Sequence, residues 1–203
     1  MKILCIGRNY ADHAKELKNE LPTKPIIFMK PETALLREKD PFFYPNFSKD
    51  IQHEVELVIK INKEGKNIEP RFAHKYFDEV GVGIDFTARD LQNELKSKGL
   101  PWEIAKAFNG SAAVSNFISK AELPPLDTLD ISLTNNAEVK QSGNTRDMIF
   151  SIDTIIAYIS QFFLLKKGDL IYTGTPAGVA SVQIGDVLEC FIGNSKMLTC
   201  RIK

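Results

Sequence analysis

The chain has 203 residues, of which 43% are apolar and 26% charged, an ordinary balance for a globular protein and enough length for one well-buried domain. Lys plus Arg equals Asp plus Glu at 26 each, which excludes a strong net field toward nucleic acid or an anionic membrane. No basic cluster with interleaved aromatics occurs, no stretch approaches the ~18 apolar residues of a membrane span, and the apolar run of MKILCIG is too short for a signal-peptide core.

In chain order, ILCIG reads as an opening strand and YADHAKELKNEL as a short helix stopped by LPTKP. PIIFMKP is a strand closed by proline, and REKDPFFYPNFSKD is a loop. HEVELVIKI is a strand, NKEGKN a turn, and EPRFAHKYF contains a helical piece. EVGVGIDF is a second strong strand, and TARDLQNELKSKG follows as a helix. Thr87 and Asp90 have the Thr-x-x-acid spacing of a helix start; Gly99 and Pro101 end the helix. DTLDISLTNNAEVKQSG reads as a hairpin turning near Asn135-Asn136-Ala137, and DMIFSIDTIIAYISQFFLL as a largely buried helix. KKGDLIYTGTPAGV gives a turn, a strand and a glycine-rich loop, and GDVLECFIGNSKMLTCRIK a closing hairpin. Strands outnumber helices and alternate with them irregularly, which argues against a doubly wound sheet. Repeats, low-complexity tracts and linkers are absent, so residues 1–203 read as a single domain. Cys5, Cys190 and Cys200 are odd in number and lack Cys-x-x-Cys spacing. They suit a reducing compartment, the cytoplasm or an organelle matrix, and read as buried small hydrophobes rather than a disulfide framework or zinc site.

IQHEVELVIKI carries the first chemical signal. On a strand Glu54 and Glu56 share a side with Val58, while His53, Val55, Leu57, Ile59 and Ile61 share the other. Two carboxylates so placed are about 7 Å apart at Cβ and repel if water is excluded. One reading is a solvated sheet face; the other is a divalent cation gathering both groups. GVGIDFTARDLQ supplies a third acid. Asp85 directly follows a buried-looking strand, where surface solvation explains it poorly. Thr87 competes for the helix cap, which frees Asp85 to join Glu54 and Glu56 in an all-oxygen triad. Such a triad, without Cys or His ligand spacing, suits Mg²⁺ or Mn²⁺ better than Zn²⁺. His53 falls on the opposite face and reads as structural. In GRNYADHAKEL, His13 and Glu16 are three apart on a helix and therefore neighbours. The pair reads either as a carboxylate-oriented general base or as a surface histidine beside an incidental acid. In IYTGTPAGV, the glycines around Thr175 allow close backbone approach to an anion, or form a plain strand-ending turn; Gly-Lys-Ser/Thr is missing, so this is no nucleotide loop.

Together, GRNYADHAKEL, FMKP, HEVEL, IDFTARDLQ, KGLPWEIAKAF, MIFSI and KKGDLIYTGTPAGV resemble the fumarylacetoacetate hydrolase superfamily, in the family's order and over nearly the whole chain. The likeness is greatest to the short, single-domain branch that hydrolyses acylpyruvates and decarboxylates oxaloacetate. The resemblance implies an α+β, mainly β fold: a mixed β-roll or sandwich with peripheral helices, usually a homodimer. It implies Glu54, Glu56 and Asp85 as ligands of Mg²⁺ or Mn²⁺. It implies a lid helix within about residues 1–25 that brings His13 and Glu16 over the site as a water-activating dyad. Lys106 corresponds to a catalytic position, and Arg89, Gln92, Thr175 and Lys30 to substrate-contacting ones. Two departures are Ala180, where the loop often has glycine, and Ala137 at the hairpin turn, where Asn-Ala suits a primed turn less well than Asn-Gly.

The implied function is metal-dependent cleavage of the C3–C4 bond of a 2-keto acid with release of a pyruvate enolate, by acylpyruvate hydrolysis, oxaloacetate decarboxylation, or both. An isomerase or tautomerase of enol-keto diacids is the nearest alternative. A non-catalytic, metal-stabilised module is a third, and has no use for His13, Glu16 and Lys106 together. A small-molecule substrate is expected, with neither nucleic acid nor membrane as partner.

Overall fold

VELVIKI forms the centre of the molecule because both of its faces are apolar enough to bury. A computed structural model describes residues 1–16, 20–37 and 40–203. Residues 17–19, the end of the expected N-terminal helix, and 38–39, within the expected loop, lie outside them. Strand β5 (Val55–Ile61) runs between β6 (Phe77–Asp85) and β12 (Leu170–Tyr172), antiparallel to both. β1 (Ile3–Gly7) pairs parallel with β12 and antiparallel with β2 (Ile26–Lys30). On the other side β6 meets β8 (Ala112–Val114), which pairs parallel with β3 (Leu35–Arg37). A short β9 (Ile118–Ser119) completes this eight-stranded mixed sheet.

A second, four-stranded antiparallel sheet has the order β11 (Glu138–Asn144), β10 (Asp130–Asn135), β14 (Val187–Ile192), β15 (Ser195–Arg201). It packs on the first sheet through β5 and β6. The main core lies between them and includes Val55, Leu57, Ile59, Ile84, Ile131, Leu133 and Leu188. A smaller apolar cluster covers the opposite face of β5, where Val58 meets Ile3, Cys5 and Tyr172. The face that carries Glu54 and Glu56 is therefore not wet: the two residues are 5% and 2% exposed. Alternation on β5 separates two buried faces rather than core from solvent.

The expected strand HEVELVIKI is broken at Glu54. β4 (Ile51–His53) instead joins a three-stranded sheet with β7 (Thr87–Ala88) and β13 (Ala180–Ser181). Helix α3 (Arg89–Ser97) begins later than its Thr-x-x-acid spacing suggests, and its N-cap, Ala88, provides no side-chain cap. Thr87 does not cap because its hydroxyl donates to the Asp85 carbonyl and accepts from Lys106. The C-terminus follows the sequence: Gly99, at φ 64°, closes the helix with Gly99 N–H donating to Lys96 and Leu100 N–H to Leu95. Helix α5 (Ile152–Phe162) starts five residues inside the expected span, after a Ser151 cap, and buries Ile152, Ile155, Ile156 and Ile159 against the core. Short helices α1 (Ala11–Glu16), α2 (Pro70–Ala73) and α4 (Glu103–Lys106) lie at the edges. The β10–β11 turn places both Asn136 and Ala137 at positive φ, 51° and 66°. Cys5, Cys190 and Cys200 are buried free thiols, as their apolar flanks suggest. No described helix is long and apolar enough to cross a membrane.

Candidate metal centre and active site

Sheet register brings the three acids together. Val55 pairs with Ile84 and Glu56 with Gly83, and the Asp85 N–H donates to the Glu54 carbonyl at 2.8 Å. Glu54 and Asp85 thus face one another at the strand ends, with Glu56 two residues along on the same side. Gly83 opposite Glu56 has no alternative: a Cβ there would lie 2.5 Å from the Ala113 carbonyl oxygen and 2.7 Å from the Tyr172 ring. One carboxylate oxygen from each of Glu54, Glu56 and Asp85 lies within 4.8 Å of the others.

Buried cations flank two of the three. Lys106 Nζ donates to Glu54 Oε2 at 2.7 Å, Asp85 Oδ2 at 2.8 Å and Thr87 Oγ1 at 2.6 Å. Arg89 is paired with Glu54 Oε1 and donates through Nε to Gln52 and through Nη1 to Gln92. Burial would raise the Glu54 carboxyl, yet Lys106, Arg89 and His13 outweigh it and hold Glu54 well below the usual carboxylate range. Burial opposes the Lys106 charge too, but Asp85 and Glu54 raise the ammonium above its ordinary value. Among the described residues Glu56 has no ion-pair partner and accepts the Gly174 N–H, at 2.7 Å. Burial, then Asp85 and Glu54, push its carboxyl well up.

Lys30 is not among the residues that line the cavity. Its ammonium is buried, 2.8 Å from Asp85 Oδ1, and is held by the Lys106 carbonyl and by the carbonyl and hydroxyl of Ser111. The FMKP lysine sits behind Asp85 and fixes it. The Lys30 approach is off-axis, so Asp85 Oδ1 gains charge compensation but no aligned hydrogen bond.

α1 places His13 at the cavity, 4% exposed, with Nδ1 3.2 Å from Glu16 Oε2. Glu16 Oε1 also accepts the Gly178 N–H at 3.1 Å. The glycine loop therefore spends two of its amides on the protein's own carboxylates, Glu56 and Glu16, rather than offering them to a ligand. Asn9 anchors the segment before α1: Nδ2 donates to the Thr173 and Phe150 carbonyls, and Oδ1 accepts the Phe150 N–H. Thr175 is set by Gln141, whose Nε2 donates to Thr175 Oγ1 at 2.8 Å and to the Pro176 carbonyl at 2.9 Å. Gln141 Oε1 accepts from the Val55 N–H and lies 2.8 Å from His53 Nδ1. His53 is a structural residue in this network.

One cavity gathers His13, Glu54, Glu56, Asp85, Arg89, Gln92, Lys106 and Thr175. Glu16 reaches it through His13. Ile6, Gly7, Arg8, Phe28, Lys96 and Trp102 complete its wall, and sequence spacing singled out none of them. Trp102 lies in KGLPWEIAKAF and Arg8 in GRNYADH, so the signal was a quoted motif rather than a periodicity.

The donor set fits a hard divalent cation: three buried carboxylates, Asp85 Oδ1 without an aligned donor, and Glu56 with two acids beside it and no ion pair among the described residues. Fold and site together define a mainly β protein with a buried acidic centre able to hold such an ion. The family described as Fumarylacetoacetate (FAA) hydrolase C-terminal matches residues 2–203, and the chain belongs to that family. Over 201 residues it is 41% identical to oxaloacetate tautomerase FAHD1, mitochondrial, of Mus musculus, covering 99% of this chain and 91% of that protein. It is 43% identical to oxaloacetate decarboxylase, mitochondrial, of Dictyostelium discoideum, covering 94% and 88%. A crystal structure of fumarylpyruvate hydrolase from Pseudomonas aeruginosa in complex with Mn²⁺ and pyruvate superposes with a TM-score of 0.93 at 33% identity, covering 100% and 89%.

Proposed function

We propose that this chain is a divalent-metal-dependent enzyme of 2-keto acids, breaking the C3–C4 bond of an acylpyruvate or of oxaloacetate with formation of a pyruvate enolate. The carrying observation is the meeting of the carboxylate triad and the His13–Glu16 pair in one cavity. Glu54, Glu56 and Asp85 would hold Mg²⁺ or Mn²⁺, the latter favoured by the ion in the Pseudomonas relative. When bound, the ion supplies Lewis-acid chemistry that polarises a carbonyl oxygen and stabilises the charge placed on it.

With Nδ1–H donated to Glu16, the other ring nitrogen of His13 is the basic one. In hydrolysis it takes a proton from water as the hydroxyl adds to the distal carbonyl. The C3–C4 bond then breaks, the acyl part leaves as a carboxylic acid, and its electron pair stays on the enolate, which is protonated at C3. In oxaloacetate decarboxylation CO₂ leaves instead, and no hydrolytic water is needed. Lys106 keeps positive charge beside the developing anion, while Gln92 and Thr175 position it. Keto–enol conversion of oxaloacetate is a second reading, favoured by the tautomerase relative; there the same base moves a C3 proton without breaking carbon–carbon bonds.

Ultraviolet assays of acetylpyruvate and oxaloacetate, with Mg²⁺, Mn²⁺ or EDTA and with products identified, test this. Pyruvate appearing with acetate or CO₂ only when metal is present supports cleavage. Enol loss without either product assigns tautomerisation, and turnover unaffected by EDTA refutes the metal-dependent reading. His13→Ala should cost ~10²–10⁴-fold in acetylpyruvate hydrolysis and less in decarboxylation; equal losses overturn the proposed division. We also propose one catalytic unit over residues 1–203 and a homodimer. Exposed Phe43, Phe47 and Ile104 support the dimer, and sedimentation tests it. The buried free thiols suit a reducing compartment such as the cytoplasm.

A further inference from the structure

Helix α1 is six residues long, and isolated helices under ~12 residues are marginal in water. The place of His13 is therefore set by what ties the helix down. Glu16 ties its end to the Gly178 amide. Its start is tied by Asn9, which is 0% exposed and is not among the residues that line the cavity.

Asn9 uses both ends of its side-chain amide. Oδ1 accepts the Phe150 N–H at 2.8 Å, and Nδ2 donates to the Phe150 carbonyl at 3.0 Å and to the Thr173 carbonyl at 2.8 Å. The Asn9 backbone carbonyl accepts the Ile149 N–H at 2.8 Å, and Tyr10 bridges to Met148. Met148, Ile149 and Phe150 open the MIFSI stretch, none of whose residues is among those lining the cavity. Thr173 precedes Gly174, whose N–H is donated to Glu56. The fit is close: a Cβ at Gly174 would lie 2.6 Å from the Cβ of Asn9. One loop, 173–178, thus meets the start of α1 at Thr173, its end at Gly178 and the carboxylate centre at Gly174. A side-chain amide is the group that can accept one of these bonds and donate the other two; alanine keeps none of the three.

We infer that Asn9 is a positioning residue: it fixes the start of α1 against Thr173 and Phe150, so that the His13 ring is held in register with the carboxylate centre. It acts through His13 rather than on the substrate. This rests on the reading of His13 as the base of the hydrolytic reaction.

Kinetics on the Mn²⁺-loaded protein test it. A displacement of ~1 Å can cost ~10²-fold in rate, so Asn9→Ala should lower kcat for acetylpyruvate hydrolysis by ~10–100-fold, with the calorimetric affinity for Mn²⁺ unchanged. In a His13→Ala background the same substitution should cost almost nothing more, because residues that act as one unit are not additive. Oxaloacetate decarboxylation, which needs no activated water, should fall less than hydrolysis. Hydrogen-exchange mass spectrometry should show faster amide exchange over Ala11–Glu16, with β5 and β6 as in wild type. Asn9→Ser, which leaves room for water to pair with the released groups, serves if the alanine variant fails to fold. Equal losses in both backgrounds overturn the inference, since Asn9 would then act on the metal centre or on the whole fold. A folded variant with wild-type kcat overturns it too. A wild-type protein that does not hydrolyse acetylpyruvate overturns the hydrolytic reading instead, and exchange over Ala11–Glu16 then decides by itself whether Asn9 holds α1.

Discussion

Replacing Glu56 with glutamine should stabilise the metal-free protein and destabilise it relative to wild type once metal is added. In the metal-free chain Glu56 has Glu54 and Asp85 within 4.8 Å and, among the described residues, no ion-pair partner. Two unit charges at that separation repel by about 3 kcal/mol at an effective dielectric of 20. Lys106 and the Gly174 amide offset part of this, leaving an expected gain of about 1–2 kcal/mol for a neutral isostere that keeps the Gly174 hydrogen bond. For a chain of this length that corresponds to a melting temperature higher by about 2–8 °C. The sign with pH follows from the raised Glu56 pKa. The contribution of protonated Glu56 is fully present below the ordinary carboxylate value and is lost as pH rises toward the folded-state pKa. The advantage of the glutamine variant should therefore be absent in acid and grow toward neutral and alkaline pH. Saturating Mn²⁺ should reverse the order, because metal at 100 times its Kd adds about 2.7 kcal/mol to whichever protein binds it. Scanning calorimetry of EDTA-treated and Mn²⁺-loaded samples across pH measures all three features. A metal-free variant that melts below wild type at pH 8, or equal metal stabilisation of both proteins, would refute the reasoning.

Lys106→Met should cost about 3–5 kcal/mol in urea unfolding of the metal-free protein, since it strands Glu54 and Asp85 without their shared ammonium; added Mn²⁺ should recover part of the loss. Ala137→Gly should raise stability by about 1 kcal/mol, or roughly 2–4 °C in melting temperature, by relieving an alanine held at φ 66° in the hairpin turn; a lower melting temperature would count against that turn. Gln141→Met should cost about 2–4 kcal/mol, because the Val55 N–H and the Pro176 carbonyl lose buried partners. The same variant should raise KM, as the Thr175 hydroxyl loses the donor that orients it.

What the sequence disclosed was governed by how local each cause is. Glu54, Glu56 and Asp85 could be grouped because strand alternation and a strand end are local facts. Whether their face was wet could not be decided, because the apolar cover that dries it comes from Ile3, Cys5 and Tyr172, far along the chain. Gly99 ended its helix as expected because a left-handed closure needs only adjacent residues. Thr87 failed as a cap because Lys106, nineteen residues on, takes its hydroxyl. Lys30 came from a motif, and only the third dimension shows its ammonium paired with Asp85. Gln141 left no trace: nothing in QSG announces a side chain that joins β4, β5 and the Thr175 loop.

Glu16 carries two duties at once, steadying the imidazole with one oxygen and gripping the Gly178 amide with the other. One side chain thus ties the orientation of the ring on α1 to the path of the loop at 174–178, so a shift in either segment is passed to the other.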